Sequence, residues 1–333
     1  MDLMNDTSLN DLWLTLETKI KSNQQTMQQL IAPDSQFRLF IGVEGLPTRR
    51  FVSVEIPESQ KKSVLGIQPL QGIDVIIGKP LVSHEGFCSC KLQSSSNEQN
   101  DVFSIVAQDI LVELDSCESK DAYVEVLIER LEKWRGFFKK KHKPLSESEI
   151  VGLFGELQFA KNMMDQGVTN IIDFWSGPIK SAQDYRAFNI FAEIKSKVTD
   201  QLASVKISSE EQLNYDGSSP MYLVVYRLEK SNSGMNIHEL IQAISIQLTD
   251  SYRSIFDAKL LCLGYQRDDA YDSKYVAKEC RQYKVEKEFP RITPPTLPSG
   301  LFGITYNLSI DKCEPYRVDF EQIIDSFKEA LDG

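Results

Sequence analysis

The segment FAEIKSK places a carboxylate and an ammonium two residues apart, at Glu193 and Lys195. The surrounding run, residues 188–198, predicts a β-strand, in which residues i and i+2 point to the same face. Ala192 and Ile194 then point to the opposite face, into apolar packing. Because burying a charge is costly without a partner or a task, the pair indicates a functional site. An exposed edge strand with ordinary Glu/Lys alternation is the alternative.

Two further carboxylates could join this pair. Asp184 lies nine residues before Glu193, so the two can occupy adjacent legs of a β-hairpin, within reach of one hard cation. Mg²⁺ prefers carboxylate oxygens and retained waters, and a lysine beside it can orient an attacking water or stabilise charge on a phosphate. Glu156, at the edge of the apolar face of a predicted helix, offers a third carboxylate, with a solvated helix residue as the alternative.

The elements that must position these residues are a helix and a series of strands. Ser146 and Glu149 form a capping-box pattern, with Leu145 as the hydrophobic staple, that predicts a helix over about 147–165. After the Glu193 strand, the pattern predicts strands over 203–208 and 221–229, a long amphipathic helix over 236–256, strands over 259–265, 283–289 and 303–310, and a last helix over 318–331. Such a mixture favours a sheet flanked by helices.

The first half of the chain predicts a separate α+β domain. Its predicted elements are a helix over 8–22, strands over 37–45, 49–57 and 72–78, and helices over 102–115 and 121–141. The last helix ends in a basic run, with seven basic residues and one acidic residue between Arg130 and Lys143, and the run stops at Pro144. We place the domain boundary there, giving an N-terminal domain over 1–144 and a second domain over 145–333.

The basic run is a candidate DNA contact. Lysines neutralise phosphates and release counterions, and the lysines concerned are Lys139, Lys140, Lys141 and Lys143. An amphipathic helix with a solvated, dipole-stabilised end is an equally good interpretation.

Composition limits the class of protein. The chain has 333 residues, with 37 basic and 48 acidic side chains and a net charge of −11. This balance does not attract polyanions globally, so any nucleic-acid surface must be a local basic patch. No apolar run is long enough to span a bilayer, and the N-terminus lacks a secretory pattern. We therefore expect a cytoplasmic protein without membrane contact, whose six sparse cysteines are reduced.

The order Glu156, Asp184 and Glu193-x-Lys195 resembles the PD-(D/E)XK nuclease superfamily, in which a helix supplies a glutamate and a β-hairpin supplies Asp and Glu-x-Lys. The segments GLFGELQF, FWSGP, QDYRAF, AEIKSK, SSEEQL and FPRITPP–GITYNLSI are together similar to a bacterial family known as PD-(D/E)XK motif proteins. The resemblance implies an α/β (α+β) fold of the restriction-endonuclease type, with a mixed central β-sheet flanked by helices. One departure is Gln183, which stands where the motif's name has proline.

The resemblance also implies an activity and roles for individual residues. The activity is Mg²⁺-dependent hydrolysis of DNA, with Mn²⁺ able to substitute. Asp184 and Glu193 become metal ligands and Glu156 an accessory acid. Lys195 positions water or stabilises charge, and Gln212, in a helix predicted after ASVKIS, is its polar neighbour, with a helix-surface amide as the alternative.

The context that the resemblance implies is a bacterial restriction or phage-defence gene cluster. The expected partners are DNA, an ATPase and a DNA methyltransferase, and cleavage of both strands makes a homodimer a further hypothesis. The alternative function is a non-catalytic assembly or DNA-binding subunit of a multi-protein defence complex, because the acidic chain could depend on partners to reach DNA.

Overall fold

The computed structural model describes residues 9–31, 38–67, 70–80, 84–115, 117, 120–138, 144–177, 182–187, 189–215, 217, 219–267 and 269–332. The chain forms two compact units, residues 1–142 and residues 143–333. Within the described residues, none of the helices is long and apolar enough to cross a lipid bilayer. All six cysteines carry free thiols.

The first unit contains an antiparallel sheet and helices. Its described helices and strands are α1 (Leu9–Glu17), β1 (Thr26–Leu30), β2 (Leu39–Glu44), β3 (Arg49–Pro57), α2 (Lys61–Leu65), β4 (Ile73–Gly78), β5 (Phe87–Ser94), α3 (Asn100–Asp115) and α4 (Lys120–Phe138). The strand order is β1-β2-β3-β5-β4, and each neighbouring pair is antiparallel. This arrangement confirms the predicted mixture of strands and helices in the first half of the chain.

A buried arginine ties helices of this unit to its central strand. The Arg50 guanidinium donates to Glu17 at 2.7 Å, to Asn10 at 2.8 Å and to Ser104 at 2.9 Å. These residues come from α1, β3 and α3, so the charge that β3 buries is neutralised and hydrogen-bonded. The four lysines proposed as DNA contacts, Lys139, Lys140, Lys141 and Lys143, lie outside the described residues.

The second unit is built around a mixed sheet. Its described helices and strands are α5 (Glu147–Asp165), β6 (Tyr185–Ala187), β7 (Ile190–Val198), β8 (Ser204–Ile207), β9 (Met221–Met235), α6 (Ile237–Ser245), α7 (Asp250–Leu263), β10 (Tyr275–Lys284), β11 (Tyr306–Ser309), β12 (Arg317–Val318) and α8 (Phe320–Asp332). The sheet order is β12-β10-β9-β7-β6, and β8 pairs with β11 separately. Strands β7 and β9 are parallel and the other neighbours are antiparallel, which confirms the predicted mixed sheet.

Strand β7 divides its side chains between two apolar clusters. Ala192 and Ile194 pack with residues of α5 such as Leu157, whereas Phe191 packs against a cluster that includes Ile207 of β8. Since alternate residues of a strand share a face, Glu193 and Lys195 lie on the Phe191 side. The predicted division of this strand is therefore confirmed.

The prediction of one long helix over 236–256 is wrong. The segment forms α6 and α7, separated by residues 246–249, and Ile246 is 73% exposed in the break. The Arg253 side chain donates to the carbonyl oxygens of Ser245 and Leu248. Because these bonds satisfy carbonyls at the end of α6, a charged residue of α7 stabilises the break.

Two predicted strands are also wrong in their positions. Residues 259–263 of the expected strand 259–265 form the end of α7, which Gly264 terminates in the left-handed conformation at φ 90°. A short apolar run does not distinguish a strand from a buried helix. The expected strand 283–289 is mostly irregular, because β10 ends at Lys284, which pairs with Tyr222 near the start of β9. Beyond that pair, β9 has only one residue left, Met221, with which β10 could continue the ladder.

Candidate active site

Glu156 reaches the site from helix α5. The predicted capping box is present, since the Ser146 side chain accepts from Glu149 and Glu149 accepts in return. The Trp175 indole donates to Glu156 Oε2 at 2.7 Å, and the Tyr185 hydroxyl donates to the Glu156 carbonyl at 2.8 Å. The carboxylate of Glu156 is therefore tied to the segment that precedes the hairpin, and its backbone is tied to the first residue of the hairpin.

Asp184 lies directly before the β6–β7 hairpin. The hairpin is antiparallel, with Tyr185 opposite Ala192, as expected. The backbone N–H of Ile194 donates to Asp184 Oδ2 at 2.8 Å. This bond places the Asp184 carboxylate beside β7 at the residue between Glu193 and Lys195.

Glu193, Lys195 and Gln212 form a hydrogen-bonded group. Glu193 is fully buried, and Lys195 Nζ donates to its Oε1 at 2.5 Å. Lys195 Nζ also donates to Gln212 Oε1 at 3.2 Å, which accepts from the backbone N–H of Ser208 at 2.7 Å. The structure thus brings Gln212 beside Lys195 as expected, although the prediction that it lies in a helix is wrong. The segment 210–213 is a turn.

The electrostatics of the site are those of several acids around one ammonium. Burial and the neighbouring Asp184 raise the pKa of Glu193 to about 8, against the opposing effect of Lys195. Burial, Asp184 and then Glu193 raise the pKa of Glu156 well above its usual range, and burial raises that of Asp184. Burial tends to lower the pKa of Lys195, but the three carboxylates outweigh it and the net shift is upward. The four groups are close enough to act on one another.

The donor set suits a hard divalent cation. When deprotonated, the three carboxylates exceed the one ammonium in charge, and carboxylate oxygen is the ligand type that Mg²⁺ prefers. Glu193 Oε2 is buried, and no described residue offers it a hydrogen bond. Among the described residues, however, no three His, Cys, Asp or Glu side chains are already grouped around a common point for a metal. Lys195 and the Ile194 N–H occupy one oxygen each of Glu193 and Asp184.

Two positioning contacts were missed from the sequence. The Gln183 side chain, at the place of the motif's proline, donates to the carbonyl oxygen of Glu211 at 2.8 Å and so holds the turn that carries Gln212. Lys259 is buried and donates to the carbonyl oxygens of Ile172, Asp173 and Trp175. The departure from proline was visible in the sequence, but Lys259 was hidden in a run predicted as a strand.

A mixed sheet with Asp184 and Glu193-x-Lys195 on one hairpin, and a glutamate from the preceding helix, has the features of PD-(D/E)XK proteins. A family model described as "Putative PD-(D/E)XK family member, (DUF4420)" matches residues 9–311. The match covers most of the chain, and the chain belongs to this family. No curated protein and no solved structure gives a significant match.

Proposed function

We propose that this chain is a Mg²⁺-dependent DNA endonuclease that hydrolyses phosphodiester bonds at the Glu156, Asp184, Glu193 and Lys195 cluster. The observation that carries the proposal is the contact of Lys195 Nζ with Glu193 Oε1 at 2.5 Å, beside the Asp184 carboxylate that the N–H of Ile194 holds at 2.8 Å. Burial raises the pKa values of Glu156, Asp184 and Glu193, in agreement with this geometry. A fold gains nothing in stability from collecting like charges in a buried place. Strongly perturbed groups gathered in one place are typical of functional sites. Membership of the PD-(D/E)XK family supports the same reaction class.

The proposed metal ligands are Asp184 and Glu193, with Glu156 as an accessory acid. Bound Mg²⁺ supplies a water of lowered pKa and stabilises negative charge on the phosphoryl oxygens. The unpartnered Oε2 of Glu193 is the oxygen best placed to serve a cation. The indole of Trp175 holds Oε2 of Glu156, which limits the rotation of that carboxylate.

Lys195 is proposed to position the attacking water relative to the phosphate. Its ammonium has three N–H donors, of which the described residues use two, on Glu193 and Gln212. The third remains for a phosphate oxygen or a water. In the reaction the water oxygen bonds to phosphorus and the water releases one proton, the P–O bond to the leaving sugar oxygen breaks, and that oxygen takes up one proton, so that one water is consumed for each bond cut. Gln212 acts through Lys195 as a positioning residue.

The biological setting is part of the proposal. The family resemblance supports a cytoplasmic bacterial restriction or anti-phage system, with an ATPase and a DNA methyltransferase as partners and a homodimer as the form that cuts both strands. The alternative, a non-catalytic assembly subunit, predicts that the acids bind no divalent ion.

The test uses the purified full chain with plasmid and phage DNA in Mg²⁺ or Mn²⁺. We expect Asp184→Asn and Lys195→Met to lower the cleavage rate by at least about 100-fold, the size of effect seen when one stabilising group is removed from a preorganised site. Glu229→Gln, which changes an exposed carboxylate on β9 paired with Lys278 at 3.8 Å, is the matched control and should cleave like the wild type.

Calorimetry with Mn²⁺ separates the two functions. A binding heat that Asp184→Asn abolishes supports the nuclease. Cleavage that persists at the wild-type rate in both site variants refutes the site assignment, and absence of both cleavage and binding heat in the wild type favours the assembly subunit.

A further inference from the structure

An arginine and two tyrosines form a cluster in the second unit. The guanidinium carbon of Arg291, in the segment between β10 and β11, lies 5.5 Å from the ring centroid of Tyr215. Arg291 Nη1 donates to the carbonyl oxygen of Glu286 at 2.5 Å. The next residue, Ile292, donates its backbone N–H to the Tyr306 hydroxyl at 3.3 Å. The cluster thus joins the turn after β8 to the loop before β11.

The Arg291 side chain carries a positive charge and is half-buried. It forms no ion pair with a carboxylate in the described part of the chain, whereas Arg281 of β10 pairs with Glu279 at 2.7 Å. Partial burial lowers the pKa of Arg291. The nearby Tyr306 and Tyr215 act in the opposite direction, but the net shift is downward. A guanidinium offers five N–H donors, and one of them is engaged. A half-buried arginine in this state is suited to receive an anion.

The cluster lies on the Lys195 side of the site. Tyr306 is opposite Ile207 in the β8–β11 pair. The residue after Ile207, Ser208, donates its N–H to Gln212 Oε1, the oxygen that accepts from Lys195. Burial raises the pKa of Tyr306, while the charge of Lys195 lowers it, so the two groups interact. The guanidinium is therefore linked to the Lys195 side of the site through Tyr306 and the β8–β11 pair.

We propose that Arg291, held against the ring of Tyr215, binds a backbone phosphate of the DNA strand beside the Lys195 site. This inference rests on the proposed function, because the strand it names is the substrate of that reaction. Guanidinium binds phosphate through paired N–H donors, and its contact with the ring of Tyr215 uses none of these donors. On a chain of net charge −11, with several carboxylates at the site, such a local cation supplies attraction that the protein as a whole lacks.

The experiment measures DNA binding without cleavage. Each variant is made on an Asp184→Asn background, and the dissociation constant of a fluorescent duplex oligonucleotide is measured at several salt concentrations in Mg²⁺. We expect Arg291→Gln to weaken binding about ten-fold, as the loss of one charge-assisted contact does. The slope of log affinity against log salt should fall by about 0.9, which corresponds to one phosphate.

Three further variants test whether the effect is specific to the guanidinium of Arg291. Lys278→Gln removes the same charge from an exposed position of β10 and should keep the parent's affinity and slope. Arg291→Lys keeps the charge without the paired donors and should give an intermediate affinity with the parent's slope. Tyr215→Leu should weaken binding less than Arg291→Gln does. Melting temperatures establish that each variant is folded.

The outcomes separate this inference from the nuclease proposal. If Arg291→Gln and Arg291→Lys both match Lys278→Gln in affinity and slope while the wild type cleaves DNA, the inference is overturned and the nuclease proposal stands. If the wild type does not cleave but Arg291→Gln weakens binding as expected, the phosphate contact stands and the nuclease proposal falls. Failure of the parent to bind the duplex overturns the phosphate contact as well.

Discussion

Lys259 of α7 holds the segment that supports the candidate site. It is 2% exposed, and its Nζ donates to the carbonyl oxygens of Ile172 at 2.7 Å, Asp173 at 2.9 Å and Trp175 at 2.8 Å. The same segment presents the Trp175 indole to Glu156. Replacement of Lys259 by methionine, which has a similar length and no charge, therefore tests how a buried ammonium supports the acids.

The expected loss follows from two opposing effects. Three carbonyl oxygens lose a buried donor, at about 1–3 kcal/mol each, or about 3–9 kcal/mol together. Burial lowers the pKa of Lys259 from 10.5 to about 8, so removing the charge recovers about 3.4 kcal/mol at neutral pH, from about 1.36 kcal/mol per pH unit. We expect a net destabilisation of about 3 kcal/mol. For a unit of this size, that lowers the melting temperature by about 6–12 °C.

The assay is thermal and urea unfolding of Lys259→Met at pH 7, with hydrogen exchange measured in peptides covering residues 171–177. Exchange in these peptides should speed up, because their anchor is lost. Lys278→Met is the matched control, since Lys278 is an exposed lysine whose replacement should change stability by less than about 0.5 kcal/mol.

The stability difference between the wild type and Lys259→Met should also depend on pH, with a defined sign. Below pH 8 Lys259 is protonated in the folded and unfolded chains alike. Between pH 8 and 10.5 the unfolded chain binds a proton that the folded chain has released, so the free energy of unfolding rises with pH. At pH 10 the wild type should therefore have gained about 2.7 kcal/mol over Lys259→Met. The reasoning would be refuted if Lys259→Met had the melting temperature of the wild type at pH 7 and if the difference in free energy of unfolding between the two proteins stayed constant up to pH 10.

Three other perturbations have defined outcomes. Mg²⁺ or Mn²⁺ at about 100 times its dissociation constant should stabilise the wild type by about 2.7 kcal/mol, measured as a rise in melting temperature, and Glu193→Gln should lose most of that rise. Gly155→Ala should cost about 1–3 kcal/mol in urea unfolding, because its Cβ would lie 2.5 Å from Cβ of Ser196, and Ser196→Gly should relieve much of the loss. Glu210→Gln should speed hydrogen exchange at the N–H of Gly303, which donates to the carboxylate at 2.8 Å.

Each of these expectations can fail separately. An equal metal-induced rise in the wild type and Glu193→Gln would show that the ion binds elsewhere. Additive losses from Gly155→Ala and Ser196→Gly would show that the clash is not what limits the approach of α5 to β7. Unchanged exchange in Glu210→Gln would mean that the carboxylate does not hold the loop before β11.

Short-range patterns predicted the parts of the site that local rules control. The alternation of Ala192, Glu193, Ile194 and Lys195 predicted a strand with two faces, because successive side chains of a strand must point to opposite sides. The Ser146 capping box predicted the start of α5, because its hydrogen bonds span three residues. The order of acids and lysine, together with the surrounding segments, resembled the family, and that resemblance implied the fold class; the family model confirms both.

Elements that depend on distant partners were predicted poorly. The apolar run ending at Tyr265 reads as a strand by composition, yet it continues α7, whose buried side includes Leu260 and Cys262. The break before α7 depends on Arg253, which bonds carbonyl oxygens of the preceding helix. The end of β10 is set by the start of β9, its antiparallel partner, because Lys284 pairs with Tyr222. In each case a partner far along the chain, or in another element, decided the outcome.

The sequence by itself determined which residues could do chemistry and on which local elements they lie, since helix caps and strand alternation act over a few residues. Only the tertiary structure brought Asp184 to the N–H of Ile194 and Gln212 to Lys195. It also buried Lys259 against three carbonyl oxygens and placed Arg291 against the ring of Tyr215. These contacts arise from the packing of separate elements around a shared apolar core, and their distances depend on the whole unit, which no local pattern encodes.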